Sequence, residues 1–237
     1  MQKIETYVMS HNIEKLLPYV MRHYSQFSKV ILTENNSTDN TIKLGHLLGA
    51  EIWHYEVPDE INQFRLLEIK ENCWKESRAD WVIVVDADEF VYHPDLVGVL
   101  ERTKATVIHP TFHNMFSEVF PTTEGQIYNE VTMGMDGDFW LSKMNVFRPH
   151  EVTKMNWAIG CHYAYPEGNV IIDKDSGIKT LHMRFLSRKW VIDHHKYQAS
   201  RLDKECANKG YGVQFTWTEE ETNKYFDDNL PKLKKII

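Results

Sequence analysis

The apolar run Trp81-Val82-Ile83-Val84-Val85 leads straight into Asp86-Ala87-Asp88-Glu89-Phe90. A run this short and this rich in β-branched residues predicts a strand. Its lack of alternation predicts burial on both faces, the situation of a parallel strand covered by helices on either side. The segments before it agree. Residues 3–9, 29–33 and 51–55 read as strands. Residues 13–26 place Ile13, Leu16, Leu17, Val20, Met21 and Tyr24 at helical spacing, with Asn12 as the N-cap. Further helices are predicted from the 34–41 turn to about Leu48 and over 60–77. Strands alternating with helices predict an α/β fold, a mostly parallel, Rossmann-like central sheet flanked by helices. Beyond about residue 105 the pattern loosens. Short strands are expected at 107–108, 145–147 and 169–172, and a helix over 187–208. The expectation is a single domain over 1–237. Its first half, 1–110, is regular, and its second, 111–237, is an irregular α+β region that carries a site on loops.

Charge narrows the partners. The chain has 34 acidic and 27 basic residues, a net charge of −7, so the basic excess of a nucleic-acid footprint is missing. The three cysteines stand at wide, irregular spacing, which suits neither a disulfide framework nor a zinc site and predicts free thiols. No apolar run approaches the length of a transmembrane helix. The N-terminus enters a strand without a leader, so the expected location is cytoplasmic. The basic, apolar residues 230–237 are the one segment suited to weak peripheral contact with a membrane.

Asp86 and Asp88 follow the buried strand at its carboxyl end, where open α/β sheets bind ligands. Residues two apart in an extended chain point the same way, so both carboxylates are expected to face one pocket and Glu89 to face away. Carboxylates this close repel unless a cation compensates. Magnesium or manganese, with its preference for oxygen ligands and phosphates, would do so. A solvated acidic turn is the plain alternative; the buried strand before the pair and Phe90 after it weigh against that. The second constellation is Glu34-Asn35-Asn36-Ser37-Thr38-Asp39-Asn40-Thr41. It too follows a strand and opens a helix. Ser37 or Asp39 would suffice as a cap. Glu34 and Asn35 exceed what a cap needs and suit a base edge or a ribose.

Three segments together resemble a family 2-type glycosyltransferase of the GT-A fold. His11-Asn12-Ile13-Glu14-Lys15-Leu16-Leu17-Pro18 is similar to the first strand–helix junction of that family. Glu34 to Thr41 resembles its Asp-Asn-x-Ser-x-Asp-x-Thr turn, and Val85 to Phe90 its metal-binding Asp-x-Asp in an Asp-Ala-Asp-Glu-Phe form. Glu34 stands where the family usually has Asp, and Asn12-Ile13-Glu14 replaces an adjacent Asn-Glu. The resemblance makes 1–110 the nucleotide-sugar-binding half and 111–237 the acceptor-binding half. It implies that Glu34 contacts the nucleoside, with Asn12, Asn35 and Asp39 on the same side. It places Asp86 on the ribose or a metal-bound water, Asp88 on the metal, and Arg65 within reach of the phosphates. A histidine late in the chain, His182 before His162, joins the metal or diphosphate. Lys143 and Arg148 flank a predicted strand and suit phosphate or acceptor. A carboxylate in the second half takes the acceptor proton: Asp138, beside Phe139 and Trp140, ahead of Asp136, Glu118 and Glu151. His194-His195 is adjacent rather than i,i+4 and reads as surface.

The implied activity is metal-dependent transfer of a sugar from a UDP- or GDP-sugar, UDP first, to a hydroxyl, with inversion. Glycan, lipid-linked and protein acceptors all fit, and the acidic balance weighs against nucleic acid. Two other classes share these features. A nucleotidyltransferase acting on a sugar phosphate would show a Gly-rich or basic phosphate loop near the N-terminus, and residues 9–18 contain no glycine. An inactive nucleotide-binding module of the same fold has no need of both Asp86 and Asp88.

Overall fold

The computed structural model describes residues 2–55, 60–137 and 143–237. The chain begins β1 (Ile4–Ser10), α1 (Leu17–Tyr24), β2 (Lys29–Glu34), α2 (Thr41–Leu47), β3 (Glu51–His54), α3 (Gln63–Asn72), β4 (Trp81–Asp86), β5 (Glu89–Tyr92) and α4 (Leu96–Arg102). Next come the strands β6 (Val107–Ile108), β7 (Thr111–Phe116), β8 (Met133–Asp136), β9 (Val146–Phe147), β10 (Val152–Lys154), β11 (Glu167–Gly168), β12 (Ile172–Asp173) and β13 (Lys179–Phe185). The chain closes with α5 (Arg188–Arg201), α6 (Lys204–Asn208), α7 (Glu219–Asn229) and β14 (Lys234–Lys235).

Seven strands form the main sheet in the order β12-β6-β9-β4-β1-β2-β3. β1 runs parallel to β2 and β4, and β2 parallel to β3, so the expected parallel core is present. Every residue from Trp81 to Val85 is buried, as the unbroken apolar run requires. β9 inserts antiparallel between β4 and β6. Both β9 and β12 come from beyond residue 110, so the two halves of the sequence share one sheet. A second sheet has the order β14-β8-β7-β13-β5. Only Ala87 and Asp88 separate β4 from β5, so the chain steps from one sheet to the other at the acidic pair. Asp86 closes a strand of the first sheet, Asp88 lies in the turn, and Glu89 opens a strand of the second.

Several boundaries differ from expectation. Helix α1 starts at Leu17, with Pro18 in its first turn, where the missing N–H costs nothing. Residues 13–16 form a separate turn, Leu16 N donating to Ile13 O at 2.9 Å. Asn12 therefore caps no helix. It takes a left-handed φ of 49°, and its Oδ1 accepts from Thr38 N and Asp39 N, tying the first loop to the second. Helix 60–77 contracts to α3, capped by Asn62. Helix 187–208 breaks into α5 and α6, because Asp203 turns to cap the second piece. Of residues 169–172 only Ile172 belongs to a strand. All three cysteines are free and buried. No helix among the described residues is long and apolar enough to cross a membrane.

Tyr24 locks β5 to the helical layer. Its ring is buried and stacks on Phe90, and its hydroxyl donates to Glu89 O at 2.8 Å while accepting from Val91 N at 3.0 Å. Burial keeps the phenol protonated far above its ordinary range. Tyr24→Phe strands both backbone groups in the core. The expected loss is about 2 kcal/mol in urea denaturation. A loss below about 0.5 kcal/mol would show that other contacts anchor β5.

Candidate active site

A cavity of about 330 Å³ opens where β1, β2 and β4 end. Ligands of parallel sheets bind at that edge because the strand ends and the following loops leave a crevice. At one end the walls are Ser10, Thr33, Asn35 and Tyr55. The Asn35 side-chain oxygen is buried there with no hydrogen-bond partner among the described residues, and its backbone N–H is fixed by Ser10 O at 3.0 Å.

Asp86 lines the cavity between two lysines. Lys70 Nζ reaches Oδ1 at 2.7 Å and Lys143 Nζ reaches Oδ2 at 2.8 Å. Lys143 also pairs with Glu89 Oε1 at 2.5 Å, and Glu89 Oε2 accepts from Asp86 N at 3.0 Å. Glu89 is thus inside the protein, turned from the cavity as the alternation implied, but holding the site from beneath. Burial works against charge on every member. For Asp86 the two ammonium groups outweigh it and hold the carboxyl far below its usual range. For Lys70 and Lys143 the carboxylates outweigh burial and raise the ammonium pKa.

Asp88 lies beside His182. His182 Nε2 is 3.2 Å from Asp88 Oδ2, and His182 Nδ1 is 2.9 Å from Asn114 Oδ1. β13 and β7 pair so that His182 stands directly opposite Asn114. Since Oδ1 only accepts, Nδ1 carries a proton, and Nε2 faces the carboxylate, donating to it when the ring is protonated and offering its lone pair to a cation when the ring is neutral. Burial raises the Asp88 pKa and the imidazole lowers it further, to a net value of about 2. An imidazole and a carboxylate converging on one point, with an amide fixing the tautomer, fit a divalent cation. Among the described residues no cluster of three or more His, Cys, Asp or Glu side chains gathers to hold one. The protein therefore supplies part of a shell, as suits a cation that arrives with phosphate oxygens and water.

The remaining expected residues divide. Asn12, Arg65 and His162 line the cavity with Asn35, Asp86, Asp88, Lys143 and His182. Arg65 is also ion-paired with Glu68 at 2.9 Å. Burial and the nearby Lys143 charge push His162 down to about 3, so its ring stays neutral. Glu34 is not among the lining residues. Strand alternation turns Thr33 and Asn35 to the cavity and Glu34 away, where it accepts from Ser37 N and lies 2.9 Å from His54 Nδ1. Asp39 likewise serves its loop, accepting from Thr41 N at 2.8 Å and Glu14 N at 3.1 Å. Asp138 lies outside the described residues. Asp136 is drawn off by His113 and Lys234, and neither it nor Glu118, Glu151 or Arg148 lines the cavity. His194 and His195 are not surface residues. α5 forms part of the cavity wall, so His194 lines the cavity, stacked on Trp190, and His195 is buried.

Lys70 and Arg184 were not anticipated. Lys70 follows Leu66 by four residues and precedes Cys73 by three, so a lysine occupies the inward stripe of a helix. Arg184 follows His182 by two in a strand and shares its face.

No family model matches the chain, and no curated protein sequence does. Among solved structures it is similar to glucosyl-3-phosphoglycerate synthase from Mycobacterium tuberculosis in complex with Mn2+, UDP and glucosyl-3-phosphoglycerate. The identity is 19% over 47% of this chain and 44% of that one, with a TM-score of 0.36. It is also similar to S. aureus TarS 1-349, at 14% identity over 95% of this chain and 72% of that one, with a TM-score of 0.45. The chain spans less than half the length of the mycobacterial synthase.

Proposed function

We propose that the chain is a metal-dependent glycosyltransferase of GT-A type that moves a sugar from a nucleoside-diphosphate sugar to an acceptor hydroxyl. The observation that carries this reading is Asp88 and His182 converging in one cavity with two lysines and the Asn35 amide. Asn35 and Ser10 suit the nucleoside, with uridine the first candidate. Lys70 and Lys143 each spend donors on Asp86 and keep others for the diphosphate. Asp88 and His182 would hold manganese or magnesium. The cation, when bound, supplies Lewis-acid stabilisation to the leaving diphosphate. Asp138 is the proposed acceptor of the hydroxyl proton, and the transfer is proposed to proceed with inversion. Three buried free thiols suit a reducing, cytoplasmic setting.

Calorimetry with UDP, GDP and UTP, each with and without manganese, tests the reading. UDP is expected to bind, and manganese to tighten it by at least about tenfold. A response confined to UTP would instead favour a nucleotidyltransferase. No response to any nucleotide would sink the proposal.

A further inference from the structure

We propose that the acceptor carries an oxyanion, a phosphate or a carboxylate, and that Arg184 receives it; the inference rests on the donor reading above. The cavity has a direction. Its nucleoside end lies at β1 and β2, Asp86 ends β4, Asp88 lies in the turn to the second sheet, and His182 stands on β13. Arg184 lies two residues further along β13 on the same face, about 7 Å beyond His182. Lys70, Lys143 and the cation pair thus stand between the nucleoside end and Arg184. The diphosphate has its partners before Arg184 is reached.

Arg184 also lacks a counter-charge of its own. Among the described residues its one hydrogen-bond partner is His195 Nε2, at a long 3.4 Å, and its other contact is the Phe185 ring at 5.6 Å. Burial and the Arg184 charge push His195 down to about 4, so that partner is neutral. The carboxylate that acts on Arg184, Asp88, is engaged by His182. A guanidinium withdrawn from water calls for an anion, and its planar fork favours one that offers two oxygens. Trp190, His194, Gln198, Gln214 and Phe215 line the cavity with Arg184, and none of them is a carboxylate. An acceptor bearing an oxyanion near its reacting hydroxyl would be oriented there.

The probes are inorganic phosphate and acetate, titrated by calorimetry into the complex with UDP and magnesium. The wild-type complex is expected to bind at least one of them, and which one distinguishes phosphate from carboxylate. Arg184→Gln should weaken that binding by at least about tenfold, with UDP–magnesium affinity changed less than about twofold. Arg184→Lys should retain part of it, because charge survives without the fork. The inference is overturned if neither anion binds the wild-type complex, or if Arg184→Gln loses UDP–magnesium affinity as strongly as anion affinity. If wild type binds no UDP at all, the donor reading fails by itself. Phosphate binding to the nucleotide-free protein, present in wild type and absent in Arg184→Gln, would then still support an anion site, and equal binding in both would end it. Thermal melts of both variants establish that each is folded.

Discussion

Asp88→Asn is expected to cost at least about a hundredfold in manganese-dependent UDP affinity while leaving the fold intact. The two effects separate because of where Asp88 sits. Its partner in the protein is one imidazole at 3.2 Å, and its side chain keeps about a quarter of its surface, 27%, in contact with solvent. An amide of the same shape fills the same turn, and Met183 N still donates to the residue-88 carbonyl at 2.7 Å. The stability cost should therefore stay below about 1.5 kcal/mol. The cation, by contrast, loses the one carboxylate that faces it beside His182. UDP affinity measured without metal should be nearly unchanged, since the nucleoside end of the cavity lies elsewhere. Calorimetry of wild type and variant, with and without manganese, gives all four values. Wild-type metal dependence in Asp88→Asn would remove Asp88 from the cation and leave Asp86 as the carboxylate to examine. Asp88 is held ionised down to about pH 2, below the ordinary carboxylate range. Its pair with a protonated His182 thus contributes stability above that ordinary range and loses it as the pH falls toward 2, so the stability of wild type relative to Asp88→Asn should decline over that fall.

The parallel core was legible because burial on both faces writes itself as an unbroken apolar run, and because helices and strands alternate with distinct periods. That Asp86 and Asp88 line one cavity was legible because they follow a buried strand at its carboxyl end. What the sequence hid is pairing across long separations. Lys70 and Lys143 meet on Asp86 from elements 73 residues apart, by their numbers, and no local pattern reports that meeting. That Glu34 lies outside the cavity lining follows from a more tractable rule: strand alternation continued through Asn35 turns it inward. The His194-His195 reading failed because helical geometry alone excludes a metal pair but does not say which face is covered. The covering came from α5 forming part of the cavity wall, a tertiary fact.

Lys143→Met is expected to be among the most destabilising single changes in the protein, at about 3–5 kcal/mol. Lys143 keeps 6% of its side-chain surface and Glu89 none, so their ion pair is sealed from water beneath the cavity floor. Methionine fills the space of the lysine stem but leaves Glu89 charged and without its cation. Asp86 suffers less, because Lys70 still holds one of its oxygens and its side chain is 37% exposed. For a chain of this length the loss corresponds to a fall of about 6–20 °C in Tm. The double variant Lys143→Met with Glu89→Gln removes both charges. It should recover much of the loss, because an amide can still accept from Asp86 N and no lone charge remains in the core. Donor affinity should not recover with it, since Lys143 is also a proposed diphosphate contact. Stability and binding would then part company in one pair of proteins. Urea denaturation of the wild type, the two singles and the double gives the coupling energy directly. A single-variant loss below about 1 kcal/mol, or a double no more stable than Lys143→Met, would show that Glu89 does not depend on Lys143 for its place under the acidic pair.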